Sequence, residues 1–199
     1  MINFRKTGIL CIVIFLTLFI ISNVSAGRKK SQPDCNTKKA ELSKQEKKLH
    51  KIINKYRKGK GLPNIPLSPS LICVAQTHAR DLMKNNPVKG KCNLHSWSGK
   101  GSWSACCYTD DHAAAQCMWD KPRELSSYDG NGYEIAHATY GANATAASGL
   151  KSWKSSKGHN AVMINEGIWE QVEWHSIGVG IYKNYAVVWF GQEPDTSKQ

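Results

Sequence analysis

The reactive side chains of this 199-residue chain are its cysteines, histidines and serines, and their spacing narrows the chemistry open to them. Six cysteines lie beyond residue 26: Cys35, Cys73, Cys92, Cys106, Cys107 and Cys117. An even number suits a disulfide framework, whose pairing sequence alone leaves open. Cys106 and Cys107 are adjacent and are expected to take different partners, because a vicinal bridge strains the geometry disulfides prefer. Thiolate zinc is the alternative, but no Cys-x-x-Cys pair is present. Ser96 beside His95, and Ser156 near His159, raise a serine hydrolase with Glu134 as the orienting carboxylate. Such a nucleophile needs a base within hydrogen-bond reach and an oxyanion hole. Neither Gly-x-Ser-x-Gly nor His-Glu-x-x-His occurs in the chain. His112 follows Asp110-Asp111 and would be a metal ligand if its segment folds over a cleft, although paired aspartates read first as a solvated turn. His50, His78, His137 and His175 read as packing or surface histidines.

The elements that must position these groups follow from hydrophobic period. Ser43-Lys44-Gln45-Glu46 is a capping box. It opens a helix with Leu49, Ile52, Ile53 and Tyr56 at i, i+3, i+4 and i+7, which Gly59, Gly61, Pro63 and Pro66 end. Ser68-Pro69-Ser70 introduces a second helix, with Leu71, Val74, Ala75, His78, Ala79, Leu82 and Met83 on one face. Residues 86–132 lose periodicity and gain Gly, Ser, Trp and Cys. So long an irregular stretch is functional, disulfide-bonded or both. Four of the six cysteines fall between Cys92 and Cys117, which predicts a stapled loop there. A third helix is expected from about Ala144 to Ser156, carrying Ala147, Leu150 and Trp153, and a short apolar run, Ala161–Ile164, follows His159. The period then switches to two at Ile177, Val179 and Ile181. Lys183-Asn184 reads as a hairpin turn into Tyr185–Phe190, a nearly continuous apolar strand. Helices first and paired strands last predict an α+β layered domain.

The chain has 27 Lys+Arg against 15 Asp+Glu, a formal net charge of +12. Its first residues carry Arg5 and Lys6, then the apolar run Leu10–Ile21, then the small-residue signal Val24-Ser25-Ala26. That is the three-part pattern of a secretory signal peptide over residues 1–26, and the apolar run is short for a membrane span. Its removal leaves a charge of +10 and a chain of one ordinary domain's length. Secretion supports the disulfide reading, and Asn143-Ala144-Thr145 is a glycosylation sequon. Residues 27–42 form a basic, flexible arm tethered by Cys35, residues 43–192 the domain, and residues 193–199 a C-terminal tail. The composition excludes a disordered acidic protein, a multi-pass membrane protein and a tandem-repeat array. No basic patch interleaved with aromatics and no nucleic-acid motif is visible, so the charge reads as solvated surface, with a possible anionic surface as partner through the arm.

Several segments in order carry a resemblance: His50–Arg57, Gly61-Leu62-Pro63, Leu67–Leu71, Ala75–Ala79, Asn93-Leu94-His95-Ser96, Gly132–Ala136, Trp153, Gly158-His159-Asn160, Ile177–Ile181 and Val188–Gly191. Over about residues 44–191 the chain resembles the CAP superfamily of cysteine-rich secretory, antigen-five and pathogenesis-related proteins. The resemblance implies a three-layer α-β-α sandwich with a central antiparallel sheet, here with a long disulfide-rich loop insertion. It also implies a cleft of two histidines and two glutamates that sometimes holds a divalent metal. Carried over by position, the histidines are His95 and His159. The family's first glutamate falls on Tyr133, with Glu134 one place late, and its second falls on Ser156. The expected metal set is therefore His95, His159 and Glu134, for zinc or another divalent metal, with Tyr133, Ser156 and Ser96 in the ligand cleft. The resemblance implies a secreted, extracellular binding or effector module for a lipid or sterol, a glycan or a protein target. A metal-dependent extracellular hydrolase using the same cleft, and a basic wall- or surface-adhering protein, are the alternatives.

Overall fold

The computed structural model describes Cys35 and residues 40–197. The expected signal segment and most of the basic arm lie outside the described residues. Helix α1, Lys44–Lys58, starts at the capping box read from sequence: the Ser43 hydroxyl accepts from Glu46 N and the Glu46 carboxylate accepts from Ser43 N. Helix α2, Pro69–Asn85, has proline in its first turn, where a missing N–H is harmless, and Ser68 Oγ accepts from Leu71 N at 2.9 Å. Two short helices, α3 (Ala115–Trp119) and α4 (Lys121–Leu125), break up the stretch that lacks sequence period. After strand β1, Tyr133–Ala138, come helices α5, Ala146–Ser155, and α6, Lys157–Ile164, and a 3-10 turn at Gly167–Trp169. The hairpin of β2, Ser176–Tyr182, and β3, Tyr185–Gly191, closes the fold, with Lys183 in the left-handed region at its turn.

The sheet runs β1-β3-β2, antiparallel throughout, with Glu134 opposite Trp189 and Val179 opposite Val188. Its central strand β3 is covered on both faces, which is why its sequence is apolar almost without alternation. Val188 and Phe190 join Leu49, Ile53, Trp153 and Met163 in a core with α1, α5 and α6. Val187 and Trp189 join Leu71, Val74, Leu82 and Met118 in a second core with α2 and α3. The result is the expected helix–sheet–helix sandwich. On β2, Gly178 and Gly180 alternate with Ile177 and Val179 and let α2 lie directly on the strand. A Cβ at either glycine would overlap the backbone of Leu71 or Ala75.

Three disulfides resolve the pairing: Cys35–Cys73, Cys92–Cys107 and Cys106–Cys117. The adjacent cysteines do take different partners. Two bridges staple the segment of residues 92–117, and the third ties the chain ahead of α1 to α2. Lys121 completes this region. Its side chain is 1% exposed, donates to Ser104 O and Glu124, and lies over the Trp97 ring at 5.6 Å. Residues beyond β3 also dock: the Asp195 carboxylate accepts from Ser68 Oγ, Ser70 Oγ and Ser70 N at the start of α2. Among the described residues no helix is long and apolar enough to cross a membrane.

Candidate functional site

Strand β1 was not legible from sequence, yet it supplies the centre of the site. Its alternation puts Ile135 into the α1 side of the sheet and Glu134 toward α2 and the stapled segment. Glu134 is 6% exposed and both of its oxygens are engaged. Oε1 accepts from His95 Nδ1 at 2.7 Å and Oε2 accepts from His78 Nδ1. Burial alone would raise this carboxyl. The charge and hydrogen bond of His78, then those of His95, overcome it and hold Glu134 below the ordinary glutamate range.

His78, in the middle of α2, is fully buried and stacks on Trp97 with ring centroids 4.1 Å apart. Its Nε2 donates to Ser96 O at 3.0 Å. A carbonyl and a carboxylate are both acceptors, so a proton sits on each nitrogen and the ring balances the Glu134 charge. His95 donates through Nδ1 to Glu134 and leaves Nε2 as the nitrogen available to the cleft. Asn93 orients it by accepting from His95 N at 3.1 Å. The second imidazole, His159, enters from the first turn of α6, with its ring 6.2 Å from that of His95. Burial first, and His95 next, push it down to about 4, so it is neutral at physiological pH.

Glu134, His95 and His159 face a cavity of about 420 Å³ between the stapled segment, β1, α6 and the 3-10 turn. Its walls are apolar: Met118 and Trp119 on one side, Val162 and Trp169 on another. Tyr133 packs between Trp119 and Trp169, with centroids 5.9 and 5.0 Å away. Ile168, 87% exposed, stands at the mouth.

The structure therefore brings His95, His159, Glu134, Tyr133 and Ser156 to one cleft. The one-residue lateness of Glu134 does not prevent its pairing with His95, because β1 turns that residue toward α2. Ser96 is a correction. It is fully buried, outside the cleft lining, and its hydroxyl is taken by Tyr108 N at 2.9 Å. His112 stands at the cleft edge with Nδ1 hydrogen-bonded to Tyr108 OH at 2.9 Å; Asp111 accepts from Ala113 N in the turn read from sequence, while Asp110 accepts from Asn93 Nδ2 at 2.8 Å. His50 packs on Ile65 O, and His175 is exposed. The reading of His78 as an isolated packing residue missed its partner. Alternation through Tyr133-Glu134-Ile135-Ala136 was the signal that could have placed Glu134 on its side of the sheet.

The expected metal trio is not assembled as ligands. With both oxygens of Glu134 directed at imidazole N–H groups, what the cleft offers is the rings of His95 and His159, with His112 at its edge. Among the described residues no group of three or more His, Cys, Asp or Glu side chains is placed to hold a metal ion. The arrangement is suited instead to accepting and exchanging hydrogen bonds at one end of an apolar cavity.

Comparison with known proteins matches residues 50–190 to the cysteine-rich secretory protein family, CAP. Comparison with curated protein sequences returns no match. An extracellular protein containing an SCP domain from Bacillus anthracis is 18% identical with a TM-score of 0.53, covering 75% of this chain and 40% of its own. An outer surface protein from Borrelia burgdorferi is 16% identical with a TM-score of 0.52, covering 77% of this chain and 96% of its own. At these identities the likeness is one of fold, and the chain spans about two fifths of the Bacillus protein.

Proposed function

We propose, since the chain belongs to the cysteine-rich secretory protein (CAP) family, that it is an extracellular binding module whose cleft takes an amphipathic small molecule of the lipid class. The observation that carries this is the cavity itself: about 420 Å³, walled by Trp119, Tyr133, Val162 and Trp169, with its polar groups gathered at His95 and His159. That size and that division of apolar walls from a few convergent polar groups are what small-molecule sites require. An extracellular setting is supported by the three disulfides and by the descriptions of the Bacillus and Borrelia proteins.

The polar end selects the headgroup. His159 is neutral, so it can hydrogen-bond a hydroxyl and offers a carboxylate no cation, while the Glu134 carboxylate behind His95 disfavours a second negative charge at this end. A hydrolase with Ser96 as its nucleophile gains no support, because Ser96 is sealed away and Glu134 is committed to two imidazoles. Calorimetric titration with a long-chain alcohol and with the fatty acid of equal length tests the reading at neutral pH. The alcohol is expected to bind at least about tenfold tighter, a difference of about 1.4 kcal/mol. Preference for the acid, or no saturable binding of either, would contradict it.

A further inference from the structure

Charge on this protein is segregated, and the segregation marks a second site away from the cleft. Helix α1 exposes Lys44, Lys48, Lys51, Lys55 and Lys58 at intervals of four, three, four and three, a single stripe along the helix. At 1.5 Å per residue the stripe is about 20 Å long. The one carboxylate between residues 42 and 80 is Glu46, and it is turned inward, 3% exposed and accepting from Ile181 N at 2.9 Å. Helix α5 packs beside α1 and adds exposed Lys151 and Lys154. No acidic residue occurs from Ile135 to Asn165. Two adjoining depressions of about 300 and 510 Å³ lie where the helices meet, sharing Ile52, Leu150 and Lys154. Lysines 48, 55, 60, 151 and 154 rim them, and no carboxylate lines either one.

We propose that this α1–α5 groove binds a linear sulfated polysaccharide. A row of ammonium groups without interspersed acids pays a repulsion that an anionic chain laid along it would relieve. The other polyanions fit less well. A membrane surface calls for apolar anchors beside the charges. Among the described residues the exposed large apolar side chains, Leu67, Met83, Tyr140 and Ile168, all lie elsewhere, and Ile52 and Leu150 are half-buried beneath the lysines. Single-stranded nucleic acid calls for aromatic faces on which bases stack. The groove's one aromatic ring, Tyr56, is covered by Lys154 at 4.5 Å and tied through its hydroxyl to Asn160 Oδ1 at 3.0 Å. What remains is a flexible, base-free chain with charges repeated along its length. None of these lysines lines the aromatic cleft, so the inference stands independently of the proposed lipid site.

Heparin is the probe, titrated against the secreted chain and two charge-matched variants at about 150 mM salt, where long-range attraction is screened. One variant carries Lys48→Gln, Lys55→Gln, Lys151→Gln and Lys154→Gln. The other carries Lys84→Gln, Lys89→Gln, Lys91→Gln and Lys100→Gln, exposed lysines remote in sequence from both helices. The groove variant is expected to bind at least tenfold more weakly and the control less than threefold. Equal losses would reduce the effect to net charge and overturn the proposal. So would an unaffected groove variant, which would move the site to the basic arm, or failure of the unmodified chain to bind heparin. Tighter binding of anionic phospholipid vesicles or of single-stranded DNA than of heparin would also overturn it.

Discussion

At Glu134 one buried carboxylate meets histidines from two separate segments, and the acceptors around His78 decide where the protons sit. The same cleft sets the state of His159. Its folded value of about 4 lies below the roughly 6.5 expected of an unfolded histidine. Between those values the unfolded chain binds more protons than the folded one. The stability this ring contributes is therefore complete above about pH 6.5 and is lost as pH falls toward 4. Proton NMR should give a His159 midpoint near 4, and the melting temperature of His159→Gln should fall less than wild type between those pH values. An ordinary midpoint would contradict the buried, neutral ring. At this scale the sequence pointed to His95, His159, Glu134, Tyr133 and Ser156 through their resemblance to a known pattern. It misplaced Ser96, because the backbone of a stapled loop decides which of two neighbours faces the cleft, and period carries no information there.

The helices were legible wherever a cap and a period coincide. Ser43 and Ser68 start α1 and α2 as read, and the hairpin turn at Lys183-Asn184 lies between β2 and β3. Strand β1 escaped notice because its six residues pair one buried acid with three small or aliphatic residues, a pattern that tertiary packing rather than propensity completes. The short helices α3 and α4 have only five residues each and no side-chain N-cap bond, so little local signal existed. Helix α2 lies directly on β2, which Gly178 and Gly180 make possible. Gly178→Val should therefore force the helix off the strand and cost about 3 kcal/mol or more in urea unfolding, at or above the usual range for an overpacked core. A loss under about 1 kcal/mol would show that α2 does not rest on this position.

Over the whole molecule, the fold separates its tasks by face. The sheet carries an apolar core on each side, and β3 reads as continuously apolar because it serves both. An α+β layered domain was expected from the order of helices and paired strands, and its three layers from the family resemblance. The disulfide pairing was not, since loop closure among six cysteines is decided by a fold whose middle segment has no period. That stapled segment forms one wall of the cleft, α6 and the 3-10 turn form another, and the lysine-rich helices α1 and α5 adjoin each other outside it. The central claim is that ligand enters the aromatic cleft. Its most direct test is tryptophan fluorescence during titration with a long-chain alcohol, comparing wild type with Tyr133→Ala/Trp169→Ala. A saturable change in wild type, weakened at least about tenfold in the variant, is the predicted result. Equal affinity in the two proteins, or no saturable change in wild type, would contradict it.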